Sequence, residues 1–344
     1  MAASPLWAVT SYFNPSRYSR KRRNFEVFRD RLGVPLVAAE CSVDGEFELS
    51  EGDADIVVRF RGDVMWQKER LLNLALREVP AETAAIAWLD CDVVLDAEDW
   101  AERAVRALDD HVLVQPFSRA YWLEPDDVRF DPAALETVPR RGFGRVAAGG
   151  DRAAIRAWRC PDTGFGLPEG YAWVGRGDVL REHGWYDAYV MGSGTMEFAL
   201  AAVGELMMMP VIGPVTAAQA GHLLDWARPF ADAVRGRVGH IEGNAFHLWH
   251  GTWGNRRYAA RRRDFFAYGF DPYEDIAAAP SDYTRWTAGE GWRRHRTADG
   301  AWTWASDKPD MHRFVDGYFN ARLEDTVAAD PDHGYGDDQG GGVR

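Results

Sequence analysis

Residues 86–95, "IAWLDCDVVL", set Asp90 and Asp92 one residue apart at the end of an apolar run that reads as a buried strand. Two carboxylates this close repel each other unless they share a proton or a cation. A hard divalent ion, Mg2+ or Mn2+, would relieve the repulsion and would itself attract phosphate oxygens. An Asp-x-Asp is common by chance, and a solvated Asp90 beside a turn-capping Asp92 is the plain alternative. The architecture on either side has to decide.

Upstream, residues 6–10 read as a strand that runs into the loop "SYFNPSR". Phe25, Phe28 and Leu32 then recur at helical spacing, Gly33 ends the helix, and "VPLVAAE" reads as a second strand finishing at Glu40. Such a unit begins a parallel sheet with helices on its faces. The strand "DIVVRF" and the helix "MWQKERLLNLALREV" continue it, and beyond the aspartates come a helix over 100–108 and the strand "HVLVQPF". The fold class is α/β, with residues 1–120 as a nucleotide-binding half. Ligands of open parallel sheets bind at the carboxyl ends of the strands, where Asp90 and Asp92 fall.

Residues 120–170 are rich in Pro, Gly and Arg and read as loops and short helices. "GYAWVGR" then reads as a strand, "DVLREHG" as a short helix, and "MEFALAAVGE" as a helix entered through the glycine-rich "MGSGT". Residues 240–270 hold more histidine, tryptophan and arginine than packing explains. Residues 271–328 read as a C-terminal extension that covers the cleft or binds the acceptor, with a last helix at about 311–324. The Gly/Asp-rich 329–344 reads as disordered.

The 344 residues, 15 of them tryptophan, suffice for a large core. A formal charge of −13 disfavours nonspecific adhesion to nucleic acid or anionic membrane, although arginine clusters at 20–23, 256–263 and 293–296 leave room for local anion sites. Three widely spaced cysteines, Cys41, Cys91 and Cys160, give neither a disulfide framework nor a zinc pattern, so a reducing cytosol is expected. "MAASPLWAVTSYF" lacks the basic region and apolar length of a signal peptide, and no membrane insertion is expected.

Taken in order, these motifs resemble the GT-A fold of nucleotide-sugar-dependent glycosyltransferases over about residues 5–270, family 2-like, with an acceptor segment similar to galactosyltransferase-like members. "WLDCD" resembles the metal-binding motif of that family, and "HLWHGTWGNRRYAARR" the late segment where a histidine completes the metal site and basic residues meet the diphosphate. The resemblance implies one domain over 1–270, with 121–270 as its acceptor half. It implies a divalent metal, Mn2+ or Mg2+, on Asp90, Asp92, His250 and His247, and histidine suits Mn2+ better. A donor, most simply a UDP-sugar, would meet Thr10, Tyr12, Asn14 and Glu40 in and after the first strand. Lys68, Arg70 and Asn73 of "WQKERLLN", Asp90 and Arg256 would meet it as well.

An inverting hexosyltransferase also needs a general base. Members with this glycine-rich turn carry an acid at its end, where this chain has Thr195. Glu197 and Asp187 are therefore the candidate bases, with helix-terminal placement as the bland reading of Glu197. Trp173, Trp185 and Trp249 are the candidate acceptor platforms. The acceptor is open: a glycan, a small molecule, or a hydroxymethylated base in DNA as in a phage DNA glycosyltransferase. A catalytically degenerate sugar-nucleotide-binding protein and a nucleotidyltransferase are the competing classes. The latter lacks a glycine-rich basic loop after the first strand.

Overall fold

The apolar run around the two aspartates is two strands, Ala85–Leu89 and Val93–Leu95, and they belong to different sheets. This is a computed structural model, and it describes residues 4–125, 127–157, 167–209 and 213–326. Its strands in chain order are β1 Leu6–Phe13, β2 Leu36–Ser42, β3 Ile56–Arg61, β4 Ala85–Leu89, β5 Val93–Leu95, β6 Leu113–Gln115, β7 Arg119–Trp122 and β8 Arg140–Arg141. They continue with β9 Ala172–Arg176, β10 Val238–His240, β11 Asn244–His247, β12 Ile276–Ala277, β13 Ser281–Thr287, β14 Gly291–Thr297 and β15 Thr303–Trp304.

The main sheet has nine strands in the order β10-β6-β9-β4-β1-β2-β3-β13-β14. Only β9 and β13 oppose the common direction, so the sheet is mixed and mainly parallel. Helices flank it, as the strand-helix-strand reading requires. The helix Ser19–Leu32 buries Phe25, Phe28 and Leu32 against the sheet and ends on Gly33 at φ 72, a conformation glycine adopts without strain. Burying each of these three side chains contributes about 1.5–3 kcal/mol. β5 joins β11, β7 and β8 in a second sheet of four strands. The stretch Asp90-Cys91-Asp92 is thus the crossing between the two sheets, a place where backbone leaves the ladder and side chains can face a cleft.

Two elements went unread in the sequence. The 18-residue helix Ala217–Val234 was not anticipated, and neither was the hairpin β13–β14, half exposed along its length. The hairpin pairs antiparallel with β3, so the segment after residue 270 continues the main sheet. The last helix spans Pro309–Asn320 and stops short of the expected residue 324. Leu323 turns back at φ 48, and the Asp325 carboxylate accepts from the backbone N–H groups of Ser19 and Arg20, satisfying the open amino end of the first helix. The tail at 329–344 and Cys160 lie outside the described residues. No helix among those residues is long and apolar enough to cross a membrane.

Candidate active site

A cleft of about 230 Å³ opens where β1 and β4 end. Its centre is built by register. β11 runs antiparallel to β5 with His247 opposite Val93, and the Leu248 N–H donates to the Asp92 carbonyl at 2.8 Å, so the end of β11 lies against the crossing. The His247 Nε2 is 3.4 Å and the His250 Nε2 3.8 Å from the Asp92 carboxylate, and donor atoms of the three residues all lie within 4.8 Å of one another. Burial, then Arg256 and His247, push His250 well below the usual histidine range, which keeps a lone pair free. Burial opposes the charge of Asp92, but His247, His250 and Lys21 outweigh it and keep the carboxyl ionised.

Ring packing fixes the imidazoles. Tyr171 stacks on His247 at 4.7 Å, and Trp122 lies 4.4 Å from His247 and 5.5 Å from His250. One carboxylate and two neutral-capable imidazoles fit a first-row transition ion such as Mn2+ better than Mg2+.

Asp90, expected from the sequence as a second carboxylate ligand, lies outside this cluster. Its carboxylate forms an ion pair with Lys68, whose ammonium also lies 4.6 Å from the centre of the Trp88 ring. The amine comes from the first turn of the helix Lys68–Leu76 and neutralises the charge a cation would otherwise be needed to relieve. Around the cleft, Lys21, Lys68, Arg140, Arg256, Arg261 and Arg322 face Glu69, Asp90, Asp92 and Glu169. The lining is net cationic in a chain of net charge −13, which suits a polyanionic ligand.

The expected donor residues divide. Lys68, Asp90 and Arg256 line the cleft; Thr10, Tyr12, Asn14, Glu40, Arg70 and Asn73 do not. Thr10 and Tyr12 point into the packed layer, where Thr10 donates to the Leu89 carbonyl at 2.8 Å and Tyr12 donates to Glu48. Side chains alternate along a strand, so Ser11 and Phe13 of β1 are the ones that reach the cleft. Asn14 donates to Glu48 and to the Tyr18 carbonyl, and Glu40 accepts from the backbone of Glu48 and Leu49. Burial raises the Glu40 carboxyl to about 7. Arg70 donates to the Gly300 carbonyl, Asp187 and Asp299, while Asn73 donates to the Trp185 carbonyl and Asp187. These residues hold the fold together.

Neither expected base reaches the cleft. Asp187 is engaged by Arg70 and Asn73. Glu197 is fully buried, accepts from the Tyr189 hydroxyl at 3.0 Å and lies 3.6 Å from Arg262. Burial raises its pKa from 4.5 to about 7. The folded state therefore retains a proton that the unfolded chain releases, and the resulting stability, complete below pH 4.5, is lost as pH rises through 7. Relative to a Glu197→Met, Arg262→Met double variant, the native protein is expected to lose about 3 kcal/mol between pH 4.5 and 8. Urea unfolding across that range measures it, and parallel profiles for the two proteins would refute it.

The acceptor tryptophans are displaced as well. Trp173 and Trp185 are 2 % exposed and pack in the core with Phe198, and Trp249 is 6 % exposed, with Arg20 over its ring. The aromatic rings that do line the cleft are Phe13, Trp66, Trp122, Tyr171, Trp253, Tyr258 and Phe319. Trp122 and Trp253 lie 4.2 Å apart and form a platform under Arg140. Sequence reading missed Trp122, Trp253, Glu69 and Glu169. Only the "HLWHGTWGN" run signalled Trp253, because a tryptophan three residues after His250 stays close to it.

No family model and no curated protein matches the chain. Among solved structures, it is similar to the catalytic domain of Drosophila β1,4-galactosyltransferase 7 in complex with xylobiose, at 9% identity over 90% of this chain and 98% of that one, TM-score 0.36. It is also similar to S. aureus TarS 1–349 in complex with UDP-GlcNAc, at 12% identity, TM-score 0.31. That alignment covers 57% of this chain and 52% of the TarS 1–349 chain, about half its length. A third is a 4-diphosphocytidyl-2C-methyl-D-erythritol synthase from Anaerococcus prevotii, at 9% identity over 69% of this chain and 86% of that one, TM-score 0.31. Superpositions this loose carry no argument about the reaction, which rests on the residues of the cleft.

Proposed function

We propose that the protein is a metal-dependent glycosyltransferase that moves a sugar from a nucleoside-diphosphate sugar to an acceptor hydroxyl. The observation that carries this reading is the cluster of Asp92, His247 and His250 in a cationic, aromatic-lined cleft at the carboxyl ends of β1 and β4. Asp92, His247 and His250 would hold the ion, and a bound divalent ion offsets negative charge that builds on a departing diphosphate. Lys68, paired with Asp90, and Arg256 and Arg322, which share Glu324, present cationic donors to the same cleft, and the Arg256 guanidinium is oriented by donating to the His250 carbonyl at 2.6 Å. Trp122 and Trp253 offer flat apolar faces for a sugar ring or a base. Cys41 and Cys91 are buried free thiols, in keeping with a reducing cytosolic compartment.

The test is thermal stabilisation by UDP, GDP, CDP and ADP, each with and without Mn2+, since a ligand raises the melting temperature only if it prefers the folded state. Stabilisation by one nucleotide, dependent on metal, is the expected result and identifies the base of the donor. Product analysis then separates the reaction classes: nucleoside diphosphate release accompanies glycosyl transfer, and pyrophosphate release would point to nucleotidyl transfer. No stabilisation by any of the four would overturn the donor reading.

A further inference from the structure

Thr195, at the amino end of the helix Gly194–Ala202, offers the cleft a hydroxyl, which does not accept a proton near neutrality. The structure brings a carboxylate to the same place from another element. Glu69, in the first turn of the helix Lys68–Leu76, extends beneath the glycine-rich turn and lines the cleft together with Ser193, Thr195 and Met196. Contact is close enough to exclude a side chain: a Cβ on Gly194 would fall 2.6 Å from the Glu69 Cδ and 2.7 Å from its Oε1. Glu69 is 2 % exposed, and its Oε1 is buried with no hydrogen-bond partner. A buried carboxylate oxygen left unpaired costs about 1–3 kcal/mol, so it persists where something other than stability retains it.

We propose, resting on the glycosyl-transfer reading, that Glu69 is the general base, supplied to the cleft from the Lys68–Leu76 helix beneath the glycine-rich turn. The acceptor oxygen forms a bond to the anomeric carbon while its proton passes to the Glu69 carboxylate. The bond from that carbon to the diphosphate oxygen breaks, its electron pair leaving with the nucleoside diphosphate, and Glu69 later returns the proton to solvent. The other cleft carboxylates are differently engaged. Asp90 is paired with Lys68, and Asp92 belongs to the histidine cluster. Glu169, on the loop before β9, is the remaining competitor. Burial raises both Glu69 and Glu169 to about 7, where a base at neutral pH is effective, so the choice between them rests on the contact of Glu69 with the glycine-rich turn and its unpaired Oε1.

The experiment compares wild type, E69Q, E69D and E169Q with Mn2+ and UDP-glucose, UDP-galactose, UDP-N-acetylglucosamine or GDP-mannose, water serving as acceptor. Release of nucleoside diphosphate gives kcat and KM, and thermal stabilisation by the free diphosphate with Mn2+ reports the donor site independently of turnover. E69Q is expected to lower kcat by at least about 100-fold with KM and stabilisation kept, and to lose at least tenfold more than E169Q. E69D, which keeps the carboxylate, recovers part of the loss and serves if E69Q does not fold. Retention of kcat in E69Q, loss of its diphosphate stabilisation, or a larger loss in E169Q overturns the assignment. A wild type that is stabilised by the diphosphate yet releases none from any of the four donors overturns it too, while leaving the donor site standing. Absence of stabilisation in the wild type is the separate failure of the donor reading.

Discussion

Asp92→Asn is expected to abolish Mn2+-dependent stabilisation by a nucleoside diphosphate and to reduce turnover on the order of a thousandfold, the equivalent of several kcal/mol of lost charge stabilisation. An amide at this position offers a neutral oxygen to a cation between His247 and His250, and it removes the one anionic donor of the cluster. Asp90→Asn is the informative control. Because Asp90 is already neutralised by Lys68, its replacement should leave metal-dependent stabilisation in place and weaken turnover less. Equal losses in the two variants would mean that the ion sits between both aspartates, as the sequence alone led one to expect. Isothermal titration with Mn2+ checks the metal directly, without any substrate.

The second large effect is on stability. Arg70→Met is expected to lower the free energy of unfolding by about 2 kcal/mol, the scale of losing charged hydrogen bonds to the buried Gly300 carbonyl and to Asp187, because Asp187 keeps Asn73 and Asp299 keeps Arg77. Arg70 is 6 % exposed, and its guanidinium joins the Gly300 carbonyl, Asp187 and Asp299, with its charge 4.7 Å from the Trp302 ring centre. Methionine keeps most of the aliphatic volume, so the loss reports the charge and its hydrogen bonds. Urea denaturation measures it. Because Arg70 lies outside the cleft, the melting-temperature shift caused by nucleotide and Mn2+ should be unchanged. Loss of that shift with stability intact would return Arg70 to the donor site.

These contrasts show which parts of the site were legible in the sequence. The strand and helix order through residue 120 could be read because long apolar runs and the Phe25, Phe28, Leu32 spacing carry their own periodicity. Asp92 with His247 and His250 was visible as a set of residue types, but their juxtaposition depends on the pairing of β5 with β11, a contact more than 150 residues apart that no local pattern encodes. Thr10 and Tyr12 were expected at the donor from the place of their loop in the resemblance, which does not tell which side of β1 faces the cleft; Ser11 and Phe13 do. Glu69 was invisible as a cleft residue, since its place is set by the approach of two helices at Gly194. The tryptophans misled for a general reason: a large aromatic ring supports a core and a sugar platform equally well, and only three-dimensional position separates the two.

The capping of the first helix by Asp325 ties the order of synthesis to the closing of the cleft. A chain emerging amino end first can complete β1 to β4 early, but Lys21, Cys91 and Asp92 gain their neighbours Arg322 and Glu324 only after about 230 further residues have been made. A nascent or clipped protein ending before residue 309 would carry Asp92, His247 and His250 without Phe319 and Arg322, two of the residues that wall the cleft.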